Sequence, residues 1–308
     1  MIAGNTTAET REAGTRNDQP HVGCVIVNWN GWRDTVACLD ALRLVDYSPL
    51  SVVVVDNGSS DDSVARMRAA HPAVHVLETG KNLGFSGGNN TGIREVMRQQ
   101  VEYVWLLNND TQPAPGVLRE LVRTAEADYR LGAVGSVLRY ASAPQKIQAW
   151  GGGWISLWTG YSSHATAPPK HGRRLDFLTA ASMLVRRKTL EDVGLMDDRF
   201  FLYWEDAELC FRFRKNGWGL GVAPNAIVLH KVNASTQKVT SPTDRYFTSS
   251  AIRFLSQYSH VPMLSAFLFL SRRILHRALA GRVDAVHNVW KGVEDYRNRD
   301  RWATLPLA

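Results

Sequence analysis

Polar side chains stand directly after several runs of apolar residues in this chain. Three such groups occupy positions 28–30, 56–58 and 108–110, and each follows a run rich in Val, Ile or Leu. In α/β proteins, ligands bind outside the carboxyl ends of the strands, which is where these side chains would be placed. The spacing therefore predicts a polar ligand-binding rim along one edge of a sheet.

The residue types on this rim suit a nucleotide. Trp29 offers an aromatic surface for stacking, and the Asp56 carboxylate accepts hydrogen bonds from a base or a ribose. Amide side chains, which both donate and accept hydrogen bonds, are also present: Asn28, Asn82, Asn108 and Asn109. We predict that these residues bind the nucleoside part of a ligand.

A glycine-rich segment at 84–90, which includes Gly87, is predicted to form a loop before a helix at 88–98. Glycines in front of a helix allow backbone N–H groups to approach a bound group closely. No glycine triplet follows the first strand, and the chain has no phosphate-binding loop ending in Gly-Lys-Ser/Thr. Dehydrogenases and nucleoside triphosphatases of the usual kinds are therefore disfavoured.

Asp110 is a candidate ligand for a hard divalent cation, Mg²⁺ or Mn²⁺. Such cations prefer oxygen donors and share their coordination shell with substrate phosphates and water, so one carboxylate is enough beside a diphosphate. An isolated Asn-Asn-Asp is more often a turn with a helix cap. The neighbouring polar strand ends favour the metal site.

Two adjacent acids, Glu205 and Asp206, follow an aromatic run at 200–204. Acids in the first turn of a helix often serve only as caps, and aromatic residues often only fill a core. Aromatic rings beside carboxylates also suit a sugar, since the rings contact its C–H faces and the acids bind its hydroxyls. Tyr203 and Trp204 are therefore predicted to bind an acceptor.

The elements that position these residues alternate between strand and helix in the first half of the chain. Helices are predicted at 34–44, from 60 to about 70, at 88–98 and at 115–127, between the apolar strands. Near-continuous apolar strands with short crossovers predict a mostly parallel sheet covered by helices on both faces. The expected fold class is α/β.

Five segments in order resemble glycosyltransferase family 2, particularly its rhamnosyltransferase-like branch. They lie at 25–30, 54–59, 82–90, 106–110 and 204–212, and the match spans about residues 22–255. The resemblance implies a GT-A fold, which is Rossmann-like, with a helical C-terminal appendage. It also implies a nucleotide-diphosphate sugar donor, a divalent metal and inversion at the anomeric carbon.

The resemblance also assigns roles to individual residues. Trp29 would pack on the base, Asp110 would be the acid of the family's metal-binding DxD element, and His230 would complete the metal shell. Asp206 would be the general base, with Glu205 orienting the acceptor or the base. Asn108 stands where the first Asp of the metal element is usual, which weakens any claim of two carboxylate ligands.

Length and charge limit the remaining classes. The 308 residues carry a formal charge of +7, which invites anionic partners, but no nucleic-acid-binding signature is present. Three cysteines without metal or redox spacing indicate a reducing, cytoplasmic compartment. We predict a disordered tail at 1–20, a catalytic domain at 21–240 with halves at 21–138 and 139–240, and a helical region at 241–308.

The segment 261–282 combines an apolar stripe with four arginines. If it is helical, the stripe consists of Leu264, Phe267, Leu268, Leu275 and Leu279. This composition suits a helix on a membrane surface, and equally a helix packed on the catalytic domain or in a homodimer interface.

The sequence thus predicts an inverting, metal-dependent glycosyltransferase. The expected donor is dTDP-L-rhamnose, with a UDP-hexose or another dTDP-deoxysugar as the alternative. The expected acceptor is a hydroxyl of a saccharide, a lipid-linked glycan or a natural product. A sugar-nucleotide-binding protein without catalytic activity is the alternative from a different class, and the presence of both Asp110 and Asp206 argues against it.

Overall fold

The computed structural model describes residues 19–231 and 242–302. Its strands, in chain order, are β1 (Val22–Asn28), β2 (Leu50–Asp56), β3 (His75–Glu78), β4 (Tyr103–Asn108), β5 (Thr111–Pro113), β6 (Leu131–Tyr140), β7 (Ala143–Trp150), β8 (Gly152–Ile155), β9 (Ser162–His164), β10 (Phe177–Leu178), β11 (Ser182–Arg186) and β12 (Gly219–His230). Nine of them form one sheet in the order β3-β2-β1-β4-β11-β6-β12-β5, with β7 beside β6.

Helices cover both faces of this sheet. They are α1 (Trp32–Leu42), α2 (Ser63–Ala70), α3 (Gly84–Met97), α4 (Val117–Ala127), α5 (Arg187–Val193), α6 (Glu205–Lys215), α7 (Pro242–Tyr258), α8 (Pro262–Leu279) and α9 (Val283–Trp302). Side chains alternate between the faces of a strand, so Val25 packs in the core beneath α3 while Cys24 and Ile26 pack in the core beneath α1. The α/β class is confirmed.

The predicted polar rim forms at the carboxyl ends of β1, β2 and β4. These strands are parallel, and their register places Asn28 beside Asp56 and Val27 beside Asn108. The sheet is nevertheless mixed, because β11 runs antiparallel to both β4 and β6. Parallel pairing thus brings three separate segments of the sequence to one edge.

The prediction of a loop at 84–90 is wrong, since α3 begins at Gly84 and contains the whole segment. The glycines allow this helix to lie unusually close to the sheet. A Cβ atom at Gly92 would stand 2.3 Å from Cγ1 of Val25, and one at Gly84 would stand 2.3 Å from the carbonyl oxygen of Phe201. The glycine pattern therefore reflects close packing of the helix.

A second sheet of three strands, in the order β10-β8-β9, lies beyond the main one. The segment 177–185 divides between the two sheets, because its start forms β10 and its end forms β11. The three residues between these strands include Ala180, whose backbone N–H donates a hydrogen bond to Asp206. The three cysteines are buried and free: Cys24 lies in β1, Cys38 in α1 and Cys210 in α6.

The predicted C-terminal helical region contains α7, α8 and α9. The predicted N-terminal tail, apart from residues 19 and 20, lies outside the described residues, as do 232–241 and 303–308. Within the described ranges, no helix combines the length and apolarity that a bilayer crossing requires.

Candidate active site

The nucleotide side of the rim is organised around Asp56. Its Oδ1 accepts hydrogen bonds from Asn28 Nδ2 (2.9 Å) and Ser59 Oγ (2.6 Å), and its Oδ2 accepts one from the Ser59 backbone N–H (3.0 Å). Asn28 is fully buried, and its Oδ1 accepts a hydrogen bond from Thr35. The structure thus places Asn28 as a group that orients Asp56.

Trp29 is open to solvent, whereas the Asn82 side chain is held by hydrogen bonds within the protein. Trp29 is 54% exposed, so its ring is open to a stacking partner. Asn82 Oδ1 accepts hydrogen bonds from the Gly84 backbone N–H and from Asn57 Nδ2, which fixes the start of α3. A cavity of about 390 Å³ lies between the end of β2 and α2, lined in part by Asp56, Gly58, Ser59 and Arg68. Its size and position suit part of a nucleoside.

Asp110 and His230 lie together at the opposite end of the rim. Asp110 directly precedes β5, and β5 pairs antiparallel with the end of β12, where Thr111 faces His230. Asp110 Oδ1 is 3.1 Å from His230 Nε2, and both side chains keep some solvent access. Pairing of β5 with β12 thus brings two residues 120 positions apart into contact.

A glutamine fixes the histidine. His230 Nδ1 lies 2.9 Å from Gln148 Oε1, and an amide oxygen only accepts, so this contact selects the tautomer with its hydrogen on Nδ1. The other ring nitrogen, Nε2, faces Asp110. A partner on the second ring nitrogen is the usual arrangement for a metal-binding histidine.

Asn108 and Asn109 occupy the rim between the nucleotide and metal ends. Asn109 Nδ2 donates to Thr35 Oγ1 at 3.0 Å, whereas Asn108 Oδ1 is buried and has no hydrogen-bond donor within the part of the chain that the structure describes. No group of three or more His, Cys, Asp or Glu side chains suited to a metal occurs among those residues. Asp110 and His230 therefore face each other as a pair, without a third such side chain among the described residues.

The acid pair opens α6 after an unusual backbone turn. Tyr203 and Trp204 both have a φ of 69°, a left-handed conformation that bulky residues rarely adopt. Such strain persists where the surrounding structure enforces it, and it is concentrated at functional sites. The turn places Glu205 and Asp206 at the helix start, as predicted from the sequence.

Two backbone N–H groups hold the Asp206 carboxyl. Its Oδ1 accepts from Ala207 (2.7 Å) and its Oδ2 from Ala180 (3.3 Å), which lies in the break between β10 and β11. Burial raises the pKa of Asp206 above its usual value, while these two donors oppose the rise by stabilising the anion. Asp206 is thus a carboxylate of increased basicity that stays partly accessible.

Glu205 is in a different environment from its neighbour. It is 6% exposed, and its Oε2 is buried without a hydrogen-bond partner in the described structure. Burial and the adjacent Asp206 hold the pKa of Glu205 well above its ordinary value. Burial thus disfavours the anion of Glu205, whereas the Asp206 anion receives hydrogen bonds from Ala180 and Ala207.

The sequence analysis did not select His164, which stands at the end of β9. It lies close enough to Asp206 and His230 that both affect the pKa of its imidazole, which is lowered chiefly by burial. His164 is thus a neighbour of both Asp206 and His230. Its local sequence, Ser-Ser-His, carries no motif that could have revealed it.

The model of the family described as "Glycosyl transferase family 2" matches residues 24–194. That stretch contains the strands of the polar rim and Asp110. The chain belongs to glycosyltransferase family 2.

Two relatives and one solved structure extend this assignment. The chain is 32% identical to the N-acetylglucosaminyl-diphospho-decaprenol L-rhamnosyltransferase of Mycobacterium tuberculosis over 222 residues, covering 64% of this chain and 72% of the relative. It is 23% identical to the low-salt glycan biosynthesis hexosyltransferase Agl10 of Haloferax volcanii, covering 79% and 82%. These relatives confirm a glycosyltransferase of the rhamnosyltransferase-like branch.

The fold is that of GT-A glycosyltransferases. The mannosyltransferase PcManGT of Pyrobaculum calidifontis, solved in complex with GDP-Man and Mn²⁺, superimposes with a TM-score of 0.58. The match covers 94% of this chain and 77% of that one at 18% identity, so it concerns the fold. The expected GT-A architecture with C-terminal helices is confirmed.

Two residues of the aromatic run at 200–204 differ in how deeply they are buried. Trp204 is 5% exposed, and its ring packs against Phe247 and Phe254 with centroids 5.7 and 5.0 Å away. Tyr203 is only partly buried, beside the same Phe247. Of the two residues predicted to bind an acceptor, Tyr203 is thus the more accessible.

Proposed function

We propose that this enzyme transfers L-rhamnose from dTDP-L-rhamnose to a hydroxyl of a lipid-linked saccharide, with inversion at the anomeric carbon. The transferred sugar and the acceptor class are supported by the mycobacterial relative, whose name gives L-rhamnose and a lipid-linked saccharide. The catalytic role is supported by one observation: a partly accessible carboxylate with a raised pKa, Asp206, has a neighbour, His164, that also senses His230 of the Asp110–His230 pair.

Asp206 is suited to accept the proton of the attacking hydroxyl. The hydroxyl oxygen bonds to the anomeric carbon as its proton passes to the Asp206 carboxylate, and the sugar–phosphate bond breaks. The bonding electrons leave with the nucleoside diphosphate. Because burial raises the pKa of Glu205 well above its ordinary value, its anion is disfavoured, and we assign it to support Asp206.

Asp110 and His230 fit a divalent cation, Mg²⁺ or Mn²⁺. Asp110 Oδ1 and His230 Nε2, which lie 3.1 Å apart, would hold the cation together with oxygens of the donor's diphosphate and water. A bound cation would neutralise charge on the leaving diphosphate. The buried, unpartnered Asn108 Oδ1 offers a further oxygen at the same strand end.

The donor is tested with a panel of nucleotide sugars, scored by release of the nucleoside diphosphate. We expect the fastest release from dTDP-L-rhamnose. Faster release from a UDP-hexose or from another dTDP-deoxysugar would replace the donor assignment and keep the reaction class. Binding of donors without hydrolysis or transfer to any acceptor would instead indicate a sugar-nucleotide-binding protein.

Glu205→Gln should leave a folded and active enzyme. An amide closely matches the shape of a protonated carboxyl, so we expect kcat to change by no more than about threefold and the effect to fall mainly on the acceptor KM. Steady-state kinetics with varied acceptor test this. A loss of kcat as large as that expected for Asp206→Asn would show that Glu205 must ionise, and it would exchange the two roles.

His164→Gln should weaken acceptor binding and leave donor binding unchanged. We expect the acceptor KM to rise about three- to tenfold, the worth of one hydrogen bond. The exposed His287 on α9 supplies a matched control, His287→Gln, which should match the parent. Equal acceptor KM values in both variants would remove His164 from the acceptor site, and a change in donor affinity would place it on the nucleotide side.

A further inference from the structure

Helix α8 turns its apolar stripe away from the protein. The stripe predicted from the sequence is exposed along its whole length, with Leu264 at 47%, Phe267 at 64% and Leu275 at 59%. Leu268 and Leu279 of the stripe are also exposed, and so is the neighbouring Met263. A helix that packed on the catalytic domain through this stripe would bury these side chains, so that alternative is wrong.

The charged side chains of α8 point the other way. Arg273 and Arg277, which are 14% and 18% exposed, both bind the buried Asp244 carboxylate of α7, at 2.5 and 2.7 Å. Arg273 also lies over the ring of Phe247 at 4.3 Å. Two of its arginines thus face the protein while its leucines face outwards, which reverses the pattern of a helix that faces water.

The loop between β8 and β9 extends the apolar face. Trp158 and Tyr161 in this loop are 58% and 51% exposed, and Arg272 of α8 lies over the Tyr161 ring at 4.5 Å. Gly160 sits so close to the helix that a Cβ there would stand 2.9 Å from Phe269. We define the α8 surface as Leu264, Phe267, Leu268, Leu275 and Leu279 together with Trp158 and Tyr161.

We propose that the α8 surface docks on an anionic lipid bilayer. No acidic residue occurs between 262 and 283, whereas four arginines do; Arg273 and Arg277 pair with the buried Asp244, and Arg272 is exposed beside Tyr161. Exposed Trp and Tyr side chains favour the interface between lipid and water. An apolar stripe with flanking arginines is the composition of a helix that lies in that interface.

The position of this surface connects it to the acceptor side of the site. Tyr161 directly precedes β9, and β9 ends at His164, which lies close to Asp206. Docking would therefore bring Asp206 near the bilayer, where the saccharide of a lipid-linked acceptor is found. This consequence rests on the proposed function, whereas docking itself does not.

Sedimentation with vesicles tests the proposal on the full chain. The probes are phosphatidylcholine vesicles with and without about one-third phosphatidylglycerol, each at low and at high salt. We expect the parent to bind the anionic vesicles and to dissociate as salt rises. The double variant Phe267→Ser/Leu275→Ser should bind at least about tenfold more weakly, because both exposed apolar side chains are lost.

A matched control replaces two exposed apolar residues elsewhere. Leu44 and Tyr129 are 69% and 78% exposed, so Leu44→Ser/Tyr129→Ser removes similar apolar area and should bind like the parent. Equal vesicle binding by both double variants, or no binding by the parent, would overturn the proposal. A parent dimer that becomes monomeric in Phe267→Ser/Leu275→Ser and ignores vesicles would instead assign the surface to a second copy.

Transfer is measured separately with a water-soluble acceptor and no vesicles. Both double variants should then release nucleoside diphosphate at the parent rate, because none of the four replaced residues touches the site. Normal release without vesicle binding would reject docking and keep the proposed function. Vesicle binding without release of nucleoside diphosphate from any donor would keep docking and reject the proposed function.

Discussion

Replacing Asp110 with alanine should abolish sugar transfer and remove the metal dependence of nucleotide binding, with the fold intact. Asp110 is the only carboxylate that the rim offers to a cation among residues 108–110. Its contact with His230 is its one ion pair among those of the described residues, and the surrounding strands pair through their backbones. Loss of the carboxylate should therefore weaken ligand binding far more than it lowers the stability of the fold.

Nucleotide binding, measured by calorimetry with and without Mn²⁺, gives a readout that does not depend on turnover. Asp46→Ala is a suitable control, since Asp46 is an exposed acid paired with Arg119 away from the rim. The control should retain the metal dependence that Asp110→Ala loses. Full activity of Asp110→Ala, or of the parent in excess chelator, would exclude a metal role for this residue.

The rim could be predicted from the sequence because parallel pairing follows simple rules. Apolar runs that end in polar residues place those residues at one edge whenever the strands are parallel and in register. The observed pairing of Asn28 with Asp56 follows from this. What each side chain does on the rim depends on three-dimensional neighbours, and Asn28 proves to be buried against Asp56 and Thr35.

Other features could not be predicted from the sequence, because they depend on contacts between segments that are distant along the chain. The glycines of α3 suggested a loop because their close packing partner, the sheet, is not visible in a local pattern. His164 enters the site only because β9 joins a small separate sheet. The outward orientation of the α8 stripe is fixed by Asp244, a residue of a different helix, so helical periodicity could not decide which face was buried.

The environments of Glu205 and Asp206 separate two adjacent acids into different roles. Both carboxyls have a raised pKa, but Asp206 accepts hydrogen bonds from the backbone N–H groups of Ala180 and Ala207, whereas the one backbone hydrogen bond that lowers the pKa of Glu205 comes from its own residue. A general base must be ionised before it accepts a proton, and its basicity increases as its pKa rises. This difference in hydrogen bonding favours Asp206 as the base.

Asp206→Asn should lower turnover by about a hundredfold or more, the usual contribution of a general base, and leave donor affinity unchanged. The amide keeps the shape and some hydrogen bonds of the carboxylate but cannot accept the proton. In the parent, activity should fall as pH decreases through the raised pKa of Asp206, above the ordinary value of about 3.9, because the protonated form is inactive.

That acid limb should be absent from the residual activity of Asp206→Asn, whereas Glu205→Gln should retain it. The pH profiles of kcat/KM, recorded for the parent and both variants at fixed metal concentration, therefore distinguish proton acceptance from a structural effect. A variant that merely misfolds would lose donor binding as well as turnover. If Asp206→Asn transfers sugar near the parent rate, Asp206 is not the base, and if both variants stay fully active, the acid pair has no catalytic role.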